Sequence, residues 1–224
     1  MDKKGEIRKI FSNFVCDDFF KFGSPIRSFH CDKESECGID KKKENEPIWS
    51  PAFGDKKATV MFVAEAPSTT GGMGPHLGGL FRDWPSDSDR IKQGKIIDFI
   101  KFFTNELNYY PYFTDLVKCG PANSGDKKTI EKRAQICVEL FLLKEIEIIN
   151  PTHIYCVGRR SYDWLSKYKL FQSNGNRIEL KFLIHYSPQA GLPLKYEDKK
   201  LIWQWQLGKL ATNDIKLNQL SYFR

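Results

Sequence analysis

The chain has 224 residues, 41% of them hydrophobic and 14% aromatic, a composition that excludes disorder and suits one packed domain with an additional terminal segment. Its formal net charge of +7, with a pI near 9.0, fits a polyanionic partner without identifying one. No apolar stretch approaches the ~20 residues of a membrane span. The charged start MDKKGEIRKIF also lacks the apolar segment of a signal peptide, so a cytoplasmic chain with reduced cysteines is expected.

Ile7, Ile10, Phe11, Phe14 and Val15 recur at helical spacing and predict an amphipathic helix over 3–22. From Gly23 to Pro51 the chain is polar, with Cys31, Cys37 and the run Lys41-Lys42-Lys43, and reads as a loop segment that needs an external tether. Residues 1–51 are therefore expected to be an accessory segment packed on a core of 52–224. A first strand is predicted over 58–64, a helix over 91–107 and a second strand over 112–117. After a loop over 118–128, Thr129 is placed to cap a long helix ending near Ile149. A third strand over 153–157 is ended by Gly158, followed by a helix over 161–168. A fourth strand over 178–184 and a final helix over 197–209 complete the pattern. Strands alternating with helices predict a three-layer α/β/α domain around a four-stranded parallel sheet. No internal repeat and no low-complexity segment stands out.

The most informative stretch is Met61 to Gly79, MFVAEAPSTTGGMGPHLGG. A buried strand stops at Glu65-Ala66-Pro67 and opens into a loop holding Gly71, Gly72, Gly74, Gly78 and Gly79. The carboxyl ends of strands are where open α/β sheets bind ligands. Glycines there let backbone amides approach a substrate, with one carboxylate at the mouth. Three strand ends should converge: Glu65, the stretch from Asp115 to Asn123, and His185.

Ala64-Glu65-Ala66-Pro67-Ser68, Gly74-Pro75-His76, Thr114-Asp115-Leu116-Val117-Lys118-Cys119, Asn123, Cys137 and His185-Tyr186-Ser187-Pro188 occur in that order. In this order and spacing they resemble the uracil-DNA glycosylase superfamily, most closely its iron–sulfur-containing branch, with its GEAPG, glycine-loop Pro-Phe, TNxVKC and HPSP stretches. PTHIYCVG, residues 151–158, resembles that branch's third strand, and the likeness runs from about residue 31 to 190.

The resemblance implies a base-flipping DNA N-glycosylase. It assigns His185 as the donor to the base oxygen. Glu65 steadies the cationic sugar or orients water, and Asn123 is a second water-positioning candidate. Ala66, Pro67, Gly74, His76 and Asp115 would line the base pocket. Leu192 or Gln189, in the loop after His185, would fill the space left by the flipped nucleotide. Lys118, Ser187 and Arg159, with Arg160 and Lys195, would hold phosphates. Plainer readings stand beside these: Glu65 as a loop cap, Asn123 as a turn residue, and each lysine as merely solvated.

The resemblance also implies a [4Fe–4S] cluster on Cys31, Cys37, Cys119 and Cys137, four thiolates being a sufficient ligand set. The first pair is C-x5-C where the family has a tight CxxC. Zinc, with His30 as a further ligand, or no metal at all with Cys137 as core packing, are the alternatives. Cys156, inside the third strand, reads as structural, as does Cys16.

Two departures bear on the base. The family's TN is Thr114-Asp115, and an ionised carboxylate only accepts hydrogen bonds, which suits the amino group of cytosine rather than O4 of uracil. The stacking Phe is His76, amid glycines that leave room for a ring substituent. Excising plain cytosine would destroy the host genome, so the reading is a glycosylase for a modified cytosine, such as glucosylated hydroxymethylcytosine of phage DNA. The alternatives are a uracil-DNA glycosylase of repair and, in another class, a DNA-binding module without catalysis. DNA is the expected partner; no membrane or protein partner is indicated. A phosphate-binding loop is disfavoured, since neither GxGxxG nor GxxxxGK[ST] occurs in the glycine stretch.

Overall fold

Short runs rich in branched and aromatic residues become strands where neighbours can cover both faces. The computed structural model describes residues 3–12, 48–49, 59–65, 98–99, 102–108, 111–120, 127–186 and 194–210. Within them the order is α1 (Lys3–Ser12), β1 (Ile48–Trp49), β2 (Val60–Ala64), a π-helical turn (Phe102–Glu106), β3 (Tyr112–Asp115) and β4 (Cys119–Gly120). There follow α2 (Lys127–Cys137), a second π-helical turn (Val138–Leu142), α3 (Leu143–Ile149), β5 (His153–Val157), α4 (Arg159–Leu165), β6 (Glu179–Leu183) and α5 (Tyr196–Gln206).

β3, β2, β5 and β6 lie side by side in that order, and all three pairings are parallel. The four-stranded parallel sheet expected from the sequence is thus present. Register aligns Thr114, Val63, Cys156 and Phe182 across the sheet. One residue further along each strand come Asp115, Ala64, Val157 and Leu183, so the carboxyl ends form one edge.

Alternation along the strands sorts side chains into two cores. Met61, Val63, Tyr112, Ile154 and Cys156 face α1, the 127–149 helical stretch and Leu165, with Ile7, Ala134, Phe141 and Ile146 buried among them. Phe62, Ala64, Phe113, Tyr155, Val157 and Leu183 face Phe99, Phe102, Phe103, Ile202 and Trp203. Helices on both faces make three layers. The second core is built on rings: Phe99 and Trp203 meet edge to face at 4.8 Å and Phe62 and Phe103 at 4.9 Å. Such pairs add ~0.5–1.5 kcal/mol each beyond simple burial.

Boundaries differ from expectation in instructive ways. β3 ends at Asp115, and Leu116 and Val117 continue as bends. Their N–H groups donate to Ala64 O at 2.9 Å and Glu65 O at 3.0 Å, so the strand exit is tied to β2 beyond the last ladder residue. The long helix starts at Lys127, two residues before Thr129, and it carries a π-helical turn at Val138–Leu142. It ends because Asn150 turns left-handed (φ 51°), its N–H bonding Ile146 O at 2.8 Å, and Pro151 follows. Residues 118–128 contain β4, which pairs antiparallel with β1. α4 begins at Arg159 and α5 at Tyr196, slightly earlier than expected. Of the helix expected over 3–22, the described part is Lys3–Ser12. Within the helix expected over 91–107, residues 98 and 99 and the Phe102–Glu106 turn are described. Lys3 Nζ donates to Ile149 O at 2.9 Å, fixing the start of α1 to the end of α3. Among the described residues no helix is long and apolar enough to cross a membrane.

Candidate active site

A parallel sheet puts the ends of its strands at one edge, and that edge gathers three residues singled out in the sequence. Glu65 follows β2 directly. Asp115 closes β3 beside Ala64 and is 5% exposed. His185 lies two residues beyond β6.

Glu65 and His185 are linked through the turn from β5 into α4. Arg160 Nη1 donates to Glu65 Oε1 at 3.0 Å. Gly158, two residues earlier, has φ 96°, a conformation that side chains rarely adopt. A Cβ there would stand 3.3 Å from His185 Cδ2, so the absent side chain is what lets the imidazole approach the backbone. Gly158 N–H also donates to Leu183 O at 2.8 Å, which locks the two strand ends together. The carboxylate and the imidazole therefore flank one short turn.

Asp115 joins from the other side through Tyr186. The Tyr186 ring stacks on His185, centroids 4.3 Å apart, and also meets Phe99 at 5.3 Å. Burial, and then the charge of Asp115, raise the Tyr186 phenol well above its ordinary pKa. That phenol stays protonated at any physiological pH.

The imidazole of His185 is pushed down to about 4, first by burial and second by the charge of Lys199. It is thus neutral near pH 7, a donor through one ring N–H and an acceptor through the other nitrogen. A neutral N–H donor, two carboxylates and a guanidinium at one sheet edge suit a reaction that develops charge on a sugar and a leaving group. Cys156, by contrast, is an inert structural thiol inside β5, its pKa pushed up to about 12 by burial.

A family model described as the uracil DNA glycosylase superfamily matches residues 51–206. The chain belongs to that superfamily. It is a DNA glycosylase, a hydrolase of N-glycosidic bonds, and its sheet has the parallel architecture of that fold. It is also similar to the type-4 uracil-DNA glycosylase of Archaeoglobus fulgidus, with 27% identity over 186 residues, 81% of this chain and 84% of that protein.

Not every residue expected at the glycosylase site lies there. Lys118 is corrected: it is 1% exposed, and its Nζ lies 2.6 Å from Glu145 Oε2 and 2.6 Å from Thr114 Oγ1. Its ammonium braces the β3 exit from the interior and does not face a DNA phosphate. Arg159 is exposed and pairs with Asp163 at 3.0 Å one helical turn on. Arg160, expected on phosphate, is exposed and bonds Glu65. Cys137 is buried in the core with Leu116 and Val117, while Cys119 stands opposite Trp49 in the β1–β4 pair. Among the described residues no three His, Cys, Asp or Glu side chains form a group able to hold a metal. Ala66, Pro67, Gly74, His76, Asn123, Ser187, Gln189, Leu192, Cys31 and Cys37 lie outside the described residues.

Tyr186 and Lys199 escaped the sequence reading. Lys199 carried a signal: it shares a helix face with Ile202, Trp203 and Gln206, so its periodicity marked it as buried.

Proposed function

We propose that this glycosylase excises a modified cytosine from DNA, a glucosylated hydroxymethylcytosine of phage DNA being the favoured substrate, and so serves in defence against phage. The single observation that carries this reading is the carboxylate of Asp115, nearly buried where an amide occurs in the family motif. Its charge acts on Tyr186, next to His185. An acceptor there pairs with an exocyclic amino group and opposes a carbonyl oxygen. Setting acceptor against acceptor in a buried site costs ~1–3 kcal/mol, enough to invert a preference between cytosine-like and uracil-like bases. The target nucleotide is flipped out of the duplex, because a base within the stack cannot reach groups at a sheet edge.

In this reading the neutral N–H of His185 donates to the base oxygen as negative charge grows there. Glu65, held by Arg160, faces the positive charge of the sugar, and Asn123 positions the attacking water. Arg159, Ser187, Gln189 and Leu192 engage the strand and the vacated space.

We further propose that Cys31, Cys37, Cys119 and Cys137 hold an iron–sulfur cluster. Two observations support the fit: the β1–β4 pair sets Trp49 opposite Cys119, and Cys137 shares a buried cluster with residues 116 and 117. Bound there, the cluster would contribute folding energy and tether residues 1–51 to the catalytic core.

The second reading, excision of uracil, rests on the relative from Archaeoglobus fulgidus. One experiment separates the two. Duplexes containing uracil, cytosine, hydroxymethylcytosine or its glucosylated form are incubated with the protein and scored for alkali-labile abasic sites. Glucosylated duplex should be cleaved fastest by the wild type, and Asp115→Asn should move activity toward uracil. Base choice that ignores Asp115→Asn would sink the modified-cytosine reading.

A further inference from the structure

Among the described residues no strand lies beyond β6, and the backbone of the segment that carries His185 finds partners elsewhere. They come from one face of α5. Gln206 Oε1 accepts from Ile184 N–H at 3.0 Å, and Trp203 Nε1 donates to Ile184 O at 2.9 Å. Lys199 Nζ donates to His185 O at 3.3 Å and to Tyr186 O at 3.1 Å. Lys199, Trp203 and Gln206 stand at i, i+4 and i+7, the spacing that puts side chains in a single row along a helix. Four backbone groups from three consecutive residues are thereby taken up by one helix.

Lys199 stands out within that row. It is 2% exposed, and a buried ammonium is expensive unless several acceptors receive it. An apolar residue at this helix position would pack without that cost. The lysine's two backbone bonds fall on the residue proposed as the base-oxygen donor and on its stacked neighbour.

We propose that the Lys199–Trp203–Gln206 face of α5 is a positioning clamp for His185, with Lys199 fixing the turn through the carbonyls of His185 and Tyr186. The clamp deepens the functional reading above, since it matters for catalysis only if His185 is the donor. Lys199 acts through backbone carbonyls and through its field, and it is a positioning residue. Among the described residues, the charged and titratable groups toward the imidazole include Lys199 on α5, Tyr186 beside it in the chain, Asp115 on β3 acting through Tyr186, and the Arg160–Glu65 pair beyond Gly158. Lys199 contributes directly to lowering the imidazole's proton affinity, after burial itself. Removing its charge must therefore raise that affinity.

Two measurements on Lys199→Gln, Lys199→Arg and Trp203→Phe test the clamp. The first is an NMR titration of the His185 ring, assigned by its loss in His185→Gln; it requires no substrate. Lys199→Gln should move the midpoint up by about one pH unit, a shift of the size produced by one nearby charge, while Lys199→Arg keeps the wild-type midpoint. Trp203→Phe removes a bond to Ile184 O without altering charge and should leave the midpoint in place. The second is single-turnover base release from uracil or glucosylated-hydroxymethylcytosine duplex, whichever the wild type cleaves faster. Lys199→Gln and Trp203→Phe should each lower kcat about 10-fold with KM nearly unchanged, and Lys199→Arg should restore most of the rate. An unmoved His185 midpoint in folded Lys199→Gln overturns the clamp, as does a wild-type kcat in both neutralised and Trp203 variants. Should Lys199→Gln not fold, a wild-type kcat in Trp203→Phe still overturns it. If the wild type releases no base from either duplex, the functional reading fails while the titration still decides the clamp.

Discussion

At the scale of single residues, His185 makes a prediction about stability as well as catalysis. Its folded pKa of about 4 lies below the ordinary value of 6.5, so between these two pH values the unfolded chain binds a proton that the folded chain does not. Stability contributed by this residue is complete above about pH 6.5 and is lost as pH falls through about 4. At ~1.4 kcal/mol per unit, reduced for the partial exposure of the ring, the loss is on the order of 1–2 kcal/mol. Urea midpoints at pH 7 and pH 4.5 should therefore differ less in His185→Gln than in the wild type; equal differences would place the acid sensitivity elsewhere. His185 as a site residue was legible because its HYSP context survives as a short local string. Its lowered proton affinity was not, because burial, the larger cause, and Lys199, 14 residues away, both arise only from the packing of α5 beneath it. Lys118 was misread for the same reason. A lysine in a loop looks solvated until Glu145, 27 residues on, is seen beneath it.

At the scale of elements, the buried Lys118–Glu145 pair joins the exit of β3 to α3. Thr114 Oγ1 is shared between them, receiving a bond from Lys118 and lying 3.2 Å from Glu145 Oε2. Glu145 is 0% exposed, so its charge is tolerable only with that ammonium in place. Lys118→Met should destabilise the fold by about 3–5 kcal/mol, the range for stranding a buried charge. Adding Glu145→Leu should return much of that loss, whereas a strictly additive double-mutant cycle in urea would show the two residues to be uncoupled. The elements themselves were well marked where punctuation was local. β5 matches its expected bounds because Pro151 and Gly158 fence a short run that ends in four buried residues, Ile154 to Val157. β3 was drawn two residues too long because Leu116 and Val117 are as apolar and as buried as a strand interior. Only the backbone shows that the regular ladder has ended, with Leu116 and Val117 bending while still bonded to Ala64 and Glu65.

At the scale of the whole molecule, the open matter is how residues before β2 are held to the sheet. Among the described residues there are two attachments: α1 places Ile7 in the core and bonds Ile149, and β1 pairs with β4 over two residues on each strand. A two-residue pairing contributes little by itself, since even a complete isolated hairpin is marginal in water. The proposed cluster on Cys31, Cys37, Cys119 and Cys137 would supply the missing constraint by closing the chain between positions 31 and 137. It would do so without entering the chemistry at His185, which follows β6, the strand farthest from β3 in the sheet, and is held by α5. Stability and catalysis then respond differently to metal loss. Protein purified without oxygen should be brown and contain iron and sulfide, and Cys119→Ser or Cys31→Ser should lose that colour. Removal of iron should lower Tm by several degrees, as for a loss of a few kcal/mol in a domain of this size. Below the new Tm, the His185 titration midpoint should stay where it was, because burial and Lys199, which set it, are independent of those thiolates. A colourless protein with zinc bound, or a Tm insensitive to Cys31→Ser, would remove the cluster from this account. It would leave the convergence of Glu65, Asp115 and His185 at the sheet edge untouched.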